Sequence, residues 1–295
     1  MFESGLYVVA TPIGNLADMS QRAIDLLEAA EIVAVEDSRV TGKLLHHLGL
    51  KKKMRRYNDH SGEAERESLV AAARGAVVAL VSDAGTPLIS DPGYKLVRSA
   101  REAGVPVYTI PGASAVTAAL SICGLPTDRF LFAGFLPNKA KARVETLTEL
   151  GQVKATLVFY EAGPRLAASL SAIAETYGDR EVAVARELTK KFEEVVTGTA
   201  SELAARYAAQ EPKGEIVLII GPPADDVAYD TGDVDAALRE ALDMMSAAKA
   251  AMFFRDDDCR HAHFTKCSPE LRIKLRIAGS VKYLVDTQWI AFVPQ

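Results

Sequence analysis

The stretch Val77-Val-Ala-Leu-Val-Ser-Asp-Ala-Gly-Thr-Pro-Leu-Ile-Ser-Asp-Pro-Gly93 joins a strand-length apolar run to a connection rich in glycine and proline. A helix is predicted next at Tyr94–Ala103, Gly104 ends it, and Val105–Ile110 is predicted to be the following strand. A strand, a helix and a second strand in this order are typical of a βαβ unit with parallel strands. The sequence therefore predicts an α/β fold.

The same alternation of short β-branched runs and alanine-rich amphipathic segments continues on both sides of this stretch. Further strands are predicted at Leu6–Ala10, Ile32–Glu36, Phe130–Phe135, Thr156–Glu161, Glu181–Arg186, Val195–Gly198 and Glu215–Ile220. Further helices are predicted from Ser20 to about Ala30 and at Ala113–Ile122, Pro164–Tyr177 and Ala200–Ala209.

Helix-breaking residues near 124–129 interrupt the pattern, so we predict two α/β domains, 1–125 and 126–224. Residues 225–295 are predicted to be a linker, a partial helical extension and an atypical tail, either helical or disordered. A ligand cleft between the two domains, at the carboxyl ends of strands, is the expected site for this architecture.

Composition excludes several classes of protein. The chain has 295 residues, of which 49% are hydrophobic and 25% charged, as in an ordinary globular protein. Its apolar runs are strand-length, well below the roughly 20 residues that cross a bilayer, so no membrane span is expected. The absence of a secretory pattern at the start and the presence of only three cysteines favour the cytoplasm. The net charge of −5 argues against coating of nucleic acid, so any RNA contact must use a local basic patch.

Four turns containing glycine or proline follow predicted strands, namely 11–16, 82–93, 111–115 and 134–137. Glycine lets a backbone approach a ligand closely, although a single turn of this kind is most often only a turn. Neither a phosphate loop nor a GxGxxG fingerprint after the first strand occurs, which disfavours nucleoside triphosphates and dinucleotides. In the 82–93 connection, Asp83 could bind a ligand amine or hydroxyl, or offset a sulfonium charge. Alternatively, Asp83 and Asp91 only organise the turn and cap the next helix.

Seven blocks follow one another in order along the chain. They are Val-Val-Ala-Thr-Pro-Ile-Gly-Asn-Leu (8–16), Val-Glu-Asp-Ser-Arg (35–39), the 82–93 connection, Ile-Pro-Gly-Ala-Ser-Ala (110–115), Gly-Phe-Leu-Pro (134–137), Phe-Tyr-Glu-Ala-Gly-Pro-Arg (159–165) and Ala-Arg-Glu-Leu-Thr-Lys-Lys-Phe-Glu-Glu (185–194). Together they resemble the signature blocks of the RsmI family in the tetrapyrrole-methylase superfamily. The resemblance implies two α/β domains with S-adenosylmethionine in the cleft between them, and commonly a homodimer. The activity that it implies is 2′-O-methylation of a cytidine ribose in 16S ribosomal RNA of the small ribosomal subunit.

The resemblance also implies a cofactor pocket, with second-domain loops closing over it. Carried over residue by residue, the pocket draws on Pro12, Asp83, Ala84, Gly85, Ile89, Ser90, Ser114 and Ala115. Methyl transfer from a sulfonium to an oxygen is an in-line displacement, so catalysis consists mainly of positioning the acceptor and removing its proton. No metal is required.

Two groups of ionic residues within the blocks are candidates for that catalytic role. They are Glu36, Asp37 and Arg39 after the second predicted strand, and Arg186, Glu187 and Lys190 at a strand end of the second domain. Strand ends facing one cleft would bring the groups together. The alternative is a structural ion-pair network that supports the domain interface. His60 is a further candidate base, although a lone loop histidine is more often only solvated.

One basic run is a candidate RNA contact. It consists of Lys51, Lys52, Lys53, Arg55 and Arg56, with Tyr57 beside it. Basic side chains reach phosphates, and a tyrosine can stack on an unpaired base. The alternative is a solvated turn. Lys139, Lys141 and Arg143 would extend the patch.

The tail differs in composition from the rest of the chain. Val234–Ala251 resembles the beginning of a small helical domain, but beyond Met252 the resemblance stops and alanine becomes scarce. Cys259, His261, His263 and Cys267 are metal-ligand types, yet their spacing matches no standard zinc site and no metal is predicted. A reading-frame change that replaced the native end is the favoured explanation.

Two other functions remain open. One is a methyltransferase for a small molecule such as a tetrapyrrole precursor, since fold alone does not separate the two substrates. The other is a cofactor-binding ribosome assembly factor without catalysis. The basic run and the close match of the blocks favour RNA.

Overall fold

The first half of the chain forms a five-stranded sheet in a computed structural model that describes residues 2–58, 60–223, 284–285 and 288–289. Its strands are β1 (Gly5–Val9), β2 (Ile32–Val35), β3 (Lys53–Arg56), β4 (Val77–Val81) and β5 (Val107–Ile110). They lie in the order β3-β2-β4-β1-β5, and every neighbouring pair is parallel. All five carboxyl ends therefore lie at one edge of the sheet.

Helices cover both faces of this sheet, which explains why its central strands are almost continuously apolar. The helices are α1 (Gln21–Ala29), α2 (Ser38–His47), α3 (Glu63–Ala73), α4 (Tyr94–Glu102) and α5 (Ala115–Ile122). Ser20 caps α1 as the sequence predicts, because its hydroxyl accepts a hydrogen bond from the Ala23 amide at 3.2 Å. Asp37 caps α2 in the same way through the Arg39 amide, at 2.8 Å.

The second half forms a mixed five-stranded sheet. Its strands are β6 (Phe130–Phe135), β7 (Thr156–Ala162), β8 (Glu181–Arg186), β9 (Glu194–Thr199) and β10 (Glu215–Ile220), in the order β6-β7-β10-β8-β9. Only β6 and β7 are parallel; the other neighbours are antiparallel. The helices α6 (Ala140–Leu150), α7 (Gly163–Tyr177) and α8 (Ala200–Ala209) accompany this sheet.

Helix α5 joins the two sheets through packing. It follows the last strand of the first sheet, and its Val116 and Ala119 share a buried cluster with Val158, Ala183 and Val217 of the second sheet. These contacts make the region up to Pro223 one compact unit. The predicted boundary at 125/126 falls between α5 and β6, where the chain passes from one sheet to the other. The division into domains 1–125 and 126–224 remains a prediction.

Four elements of the structure are not predicted from the sequence pattern, namely α2, β3, α3 and α6. Strand β3 is the most informative, because its sequence Lys-Met-Arg-Arg contains no β-branched residue. Backbone pairing with β2, in which Ile32 is aligned with Lys53, holds it at the edge of the sheet. Charged side chains on an edge strand hinder pairing with other chains. The basic run is therefore mostly strand and not a solvated turn.

Beyond Pro223 the described residues are few. A short antiparallel ladder pairs β11 (Leu284–Val285) with β12 (Gln288–Trp289). The expectations for the helix at Val234–Ala251, for the cysteines and histidines between 259 and 267, and for a changed reading frame lie outside the described residues. In the described part of the chain, every helix falls short of the length and apolar character that a bilayer span needs.

Candidate active site

Three loops at the carboxyl edge of the first sheet are tied together by hydrogen bonds. The amide of Thr11, after β1, donates to the Gly85 carbonyl at 2.9 Å, and the Gly85 amide donates back to Thr11 at 3.0 Å. The Thr86 hydroxyl donates to the Ala113 carbonyl, after β5, at 3.0 Å. The loops that follow β1, β4 and β5 therefore form one continuous surface.

The loop after β4 has an unusual backbone. Gly85 has φ +78°, and a Cβ at this position would lie 3.1 Å from Cγ2 of Ile13. Leu88 and Ser90 adopt φ values of 73° and 62°, in the left-handed region that non-glycine residues rarely occupy. Such conformations persist where the surroundings enforce them, and they concentrate at functional sites.

A cavity of about 220 Å³ opens above this surface. One wall comes from the loops of the first sheet. The opposite wall comes from the second sheet and its loops and consists of Phe135, Tyr160, Glu161, Leu188, Glu215, Ile216 and Val217. Hydroxyl, carboxyl and apolar groups all reach the cavity, so it suits a small organic molecule with both polar and apolar parts.

Six of the eight predicted cofactor positions line this cavity, namely Ala84, Gly85, Ile89, Ser90, Ser114 and Ala115. Pro12 is not part of the lining, but the next residue, Ile13, is. Asp83 lies just outside the lining, and its carboxylate accepts a hydrogen bond from the Asp37 amide at 3.1 Å. It thus ties the end of β4 to the end of β2. The structure brings these positions together, and their role as cofactor contacts remains a prediction.

Sequence reasoning expected second-domain loops to close over the pocket but did not name the residues of this second wall. Phe135, Tyr160 and Glu161 belong to blocks that the resemblance uses, so their positions could have been singled out. Leu188 lies in such a block as well, at 185–194. Glu215–Val217 carry no comparable signal, because their place in the cavity follows from how the second sheet packs on α5.

Two titratable groups belong to opposite walls of the cavity. Burial raises the pKa of Asp91, a hydrogen bond from Ser82 opposes the rise, and the charge of Asp83 adds to it. Burial and the neighbouring charge of Asp91 raise the pKa of Tyr160 to about 12. The Tyr160 ring packs edge-on between Phe132 and Phe135, with centroid distances of 4.8 and 5.5 Å.

Glu161 is a buried carboxylate with a full set of partners. It accepts hydrogen bonds from the Ser169 hydroxyl at 2.6 Å and the Ala162 amide at 2.9 Å, and it lies 3.3 Å from Nε of Arg165. The Arg165 guanidinium also donates to the Leu136 carbonyl. This arrangement compensates the buried charge and fixes the 134–137 turn beside the cavity.

The first predicted catalytic group sits at the end of β2. Asp37 caps α2 and pairs with Arg39, Nη2 to Oδ2 at 2.5 Å, and the Arg39 side chain is 86% exposed. The hydrogen bond from the Arg39 guanidinium is the main cause that lowers the pKa of Asp37 to about 2. A carboxylate held so strongly in its charged form is a weak base. Glu36 directly follows β2 in sequence and is half-buried.

The second predicted catalytic group forms ion pairs within its own half of the chain. Arg186 pairs with Glu194 at 2.9 Å, and Lys190 bridges Glu187 at 3.0 Å and Glu215 at 2.8 Å. The hydrogen bond from Lys190 is the main cause that lowers the pKa of Glu187. These pairs agree with the alternative of a structural ionic network. A catalytic role for the two groups remains a prediction.

The basic run divides into exposed and structural residues. Lys51, Lys53 and Arg56 are exposed. The Lys52 ammonium donates to the Glu28 and Ala30 carbonyls, which belong to the C-terminal end of α1. The Arg55 guanidinium donates to the Ser68 hydroxyl at 2.9 Å. Lys52 and Arg55 are therefore engaged in holding neighbouring helices.

Two expectations about the RNA surface are wrong. Tyr57 is only 3% exposed and belongs to the core of the first sheet, so its ring is not available to stack on a base. Arg143 is buried on α6, so it does not extend a surface patch. His60 is exposed and lies in a turn. Within the described residues, no group of three or more histidine, cysteine or acidic side chains is arranged to hold a metal ion.

An all-parallel sheet, a mixed second sheet and a cavity at the carboxyl edge between them define a two-sheet α/β protein with a small-molecule cleft. Residues 5–204 match the family described as Tetrapyrrole (Corrin/Porphyrin) Methylases. A relative from Erythrobacter litoralis (strain HTCC2594), named Ribosomal RNA small subunit methyltransferase I, is 59% identical over 247 residues, which is 84% of this chain and 88% of the relative. The protein of the same name from Escherichia coli O157:H7 is 46% identical over 253 residues, 83% of this chain and 88% of that one. The chain therefore belongs to the tetrapyrrole methylase family and, within it, to the RsmI branch.

Solved structures share the fold at lower identity. Diphthine synthase matches with a TM-score of 0.58 and 16% identity over 73% of this chain and 89% of that one. Uroporphyrin-III C-methyl transferase from Thermus thermophilus, complexed with S-adenyl homocysteine, matches with a TM-score of 0.50 and 21% identity over 74% of this chain and 97% of that one. These matches confirm the predicted fold class.

Proposed function

We propose that this chain is an S-adenosylmethionine-dependent methyltransferase that modifies the ribose 2′-hydroxyl of a cytidine in 16S ribosomal RNA. The observation that carries the proposal is the 59% identity, across 88% of its length, to a relative named Ribosomal RNA small subunit methyltransferase I. The cavity adds support, because six positions predicted from the resemblance converge on it from separate loops.

The residues of the cavity fit S-adenosylmethionine. Ile13, Ile89 and Leu188 offer apolar surface, whereas the Ser90 and Ser114 hydroxyls offer hydrogen bonds. Asp83 places negative charge beside the cavity, where it can offset a positive charge on a ligand. When bound, S-adenosylmethionine supplies a methyl group carried on a positively charged sulfur.

The chain's own residues have three tasks in such a reaction. The linked loops after β1, β4 and β5 hold one reactant in a fixed orientation, which lowers the entropic cost of reaction. The second wall limits water at the reacting atoms. A group beside the acceptor hydroxyl takes up its proton.

Exposed basic residues support RNA as the substrate. Lys53 and Arg56 lie on β3, and Lys51 precedes it. Because β3 is parallel to β2, Arg56 at its carboxyl end lies on the same side of the sheet as the loops that line the cavity. Phosphates of an RNA strand that enters the cavity can contact this edge.

Three further features belong to the proposal. The unit up to Pro223 comprises two α/β domains, 1–125 and 126–224; the enzyme is a homodimer; and it acts in the cytoplasm, where the small subunit is the partner. The passage of the chain between sheets after α5 supports the first feature, and the family resemblance supports the other two.

A methyl-transfer assay tests the proposal. The purified chain is incubated with methyl-labelled S-adenosylmethionine and, in parallel, with unmodified small ribosomal subunits or a porphyrinoid. Label in subunit RNA is the expected result. Label only in the porphyrinoid would indicate a small-molecule enzyme, and tight cofactor binding without turnover on either substrate would indicate an assembly factor.

A further inference from the structure

Asp91 and Tyr160 come from the two halves of the chain and meet at one cavity. Asp91 lies in the long connection after β4, and Tyr160 lies on β7 of the second sheet. Both side chains line this cavity, and the charge of the Asp91 carboxylate contributes to the raised pKa of the Tyr160 phenol. Asp91 also lies within range of Asp83, beside the positions predicted for the cofactor.

Tyr160 is held so that its hydroxyl remains available. Phe132 and Phe135 pack against its ring, with centroid distances of 4.8 and 5.5 Å. Among the described residues no hydrogen bond engages its hydroxyl, although the side chain lines the cavity. At neutral pH the phenol keeps its proton, because its pKa is raised to about 12. It is thus a hydrogen-bond donor that no acceptor of residues 2–58 or 60–223 engages.

In-line methyl transfer requires the acceptor oxygen directly behind the methyl carbon, so the group that takes its proton must lie within the cavity, in hydrogen-bond reach of that oxygen. Asp91 lines the cavity from the first wall and faces the second wall that carries Tyr160. The other acidic candidates are less suited: Asp37 is paired with Arg39, Glu187 is paired with Lys190, and Glu161 is surrounded by its own donors. Asp91 forms no ion pair with a described lysine or arginine, and burial raises its pKa.

We propose that Asp91 accepts the proton of the acceptor ribose hydroxyl and that Tyr160 orients this hydroxyl from the opposite wall. This assignment rests on the proposed function. As the bond between the ribose oxygen and the methyl carbon forms, the carbon–sulfur bond breaks and its electron pair stays on sulfur. The hydroxyl proton passes to the Asp91 carboxylate, which then releases it to solvent.

The test uses Asp91→Asn and Tyr160→Phe in the full chain, each close in shape to the original side chain. Asp179→Asn is the matched control. Asp179 is exposed and lies just before the start of β8, at the end of that strand far from Arg186. Measurements are kcat and KM on small subunits between pH 5 and 9, together with the cofactor Kd from calorimetry.

Asp91→Asn is expected to lower kcat by about 100-fold or more, with a cofactor Kd within twofold of the wild-type value. In the wild-type enzyme kcat should fall at low pH, because protonated Asp91 cannot accept the hydroxyl proton. This fall should be absent from the variant. Tyr160→Phe should lower kcat/KM by about three- to tenfold. Asp179→Asn should match the wild type in all parameters.

Two results would overturn the assignment while leaving the methyltransferase function intact. One is a kcat of Asp91→Asn within threefold of wild type. The other is a large rise in its cofactor Kd, which would make Asp91 a cofactor contact. Failure of the wild-type chain to methylate subunits would instead overturn the proposed function, and the assignment of Asp91 with it.

Discussion

Lys190 lies directly against Gly14. A Cβ at Gly14 would come within 2.6 Å of Cγ of Lys190, so no larger residue fits there unless the lysine moves. Gly14 belongs to the first loop of the first sheet, and Lys190 to the turn after β8 in the second. The lysine is also anchored by Glu187 and Glu215. This contact joins the two walls at one side of the cavity.

Lys190→Met is expected to lower the Tm at pH 7, because Glu187 and Glu215 lose their common cation. The hydrogen bond from Lys190 lowers the pKa of Glu187 below the value of 4.5 for an unperturbed glutamate. Its stabilising effect is therefore present above about pH 4.5 and is lost as the pH falls through the folded-state pKa. Thermal unfolding at pH 7 and pH 3 should show the difference between wild type and variant shrinking at the lower pH.

Lys191→Met is the matched control for this prediction, because Lys191 is exposed and its recorded contact is with the Phe192 ring. It should leave the Tm nearly unchanged. If Lys190→Met kept the wild-type Tm and yet lost catalysis, Lys190 would act on the reaction directly and the structural account of this ionic group would be wrong.

Gly85→Ala is expected to weaken S-adenosylmethionine binding by roughly three- to tenfold. The left-handed φ of +78° disfavours alanine, and the added methyl would press on Ile13 in the cavity wall. Calorimetry of cofactor binding gives the measurement. Gly75→Ala is the control, because a Cβ there meets no atom within 4 Å; unchanged affinity in both variants would contradict the role of this loop.

Asp83→Ala is expected to weaken cofactor binding, since it removes both a negative charge and the acceptor for the Asp37 amide. Asp83→Asn keeps an oxygen acceptor for that amide but lacks the charge. Comparing the Kd values of the two variants separates the effect of charge from that of loop geometry. Wild-type affinity in Asp83→Ala would remove this residue from the site.

The double variant Lys53→Ala, Arg56→Ala should bind small-subunit RNA more weakly while keeping the cofactor Kd. If each side chain contacts one phosphate, the slope of log K against log salt concentration should fall by about 1.4 to 1.8. Arg74→Ala with Arg101→Ala is the control pair. Both arginines are exposed at the C-terminal ends of α3 and α4, on the side of the first sheet where its strands begin. An unchanged slope would contradict RNA contact at β3.

Lys52 and Arg55 are less suitable for that experiment. Lys52→Ala removes the hydrogen bonds to the end of α1, and Arg55→Ala removes the one to Ser68. Both variants would lower stability, and weaker RNA binding could then follow from altered structure alone.

Most of the fold could be predicted because hydrophobic burial leaves a periodic pattern in the sequence. Strands β6, β8 and β10 and helix α8 have the bounds that the pattern predicts. Strand β3 could not be predicted, since its pairing with β2 and not its side chains decides its conformation. Tyr57 shows the same limit, because it is buried at the end of β3 and its amide bonds to Val35, more than twenty residues away in sequence.

The candidate site shows a similar division. Glycine turns and family blocks located the first wall, because local backbone geometry and motif order are visible in a sequence. The second wall depends on how β7, β8 and β10 face the loops of the first sheet. Asp91 could be noticed in its turn, but its approach to Tyr160 depends on the packing of two distant segments.

The most direct measurement is the identity of the methylated nucleoside. Unmodified small subunits are incubated with the chain and labelled S-adenosylmethionine, and the 16S RNA is digested to nucleosides and separated by mass-resolved chromatography. The account predicts that the label is in 2′-O-methylcytidine. Label in a base-methylated nucleoside, or no label in the RNA of subunits incubated with active protein, would contradict it.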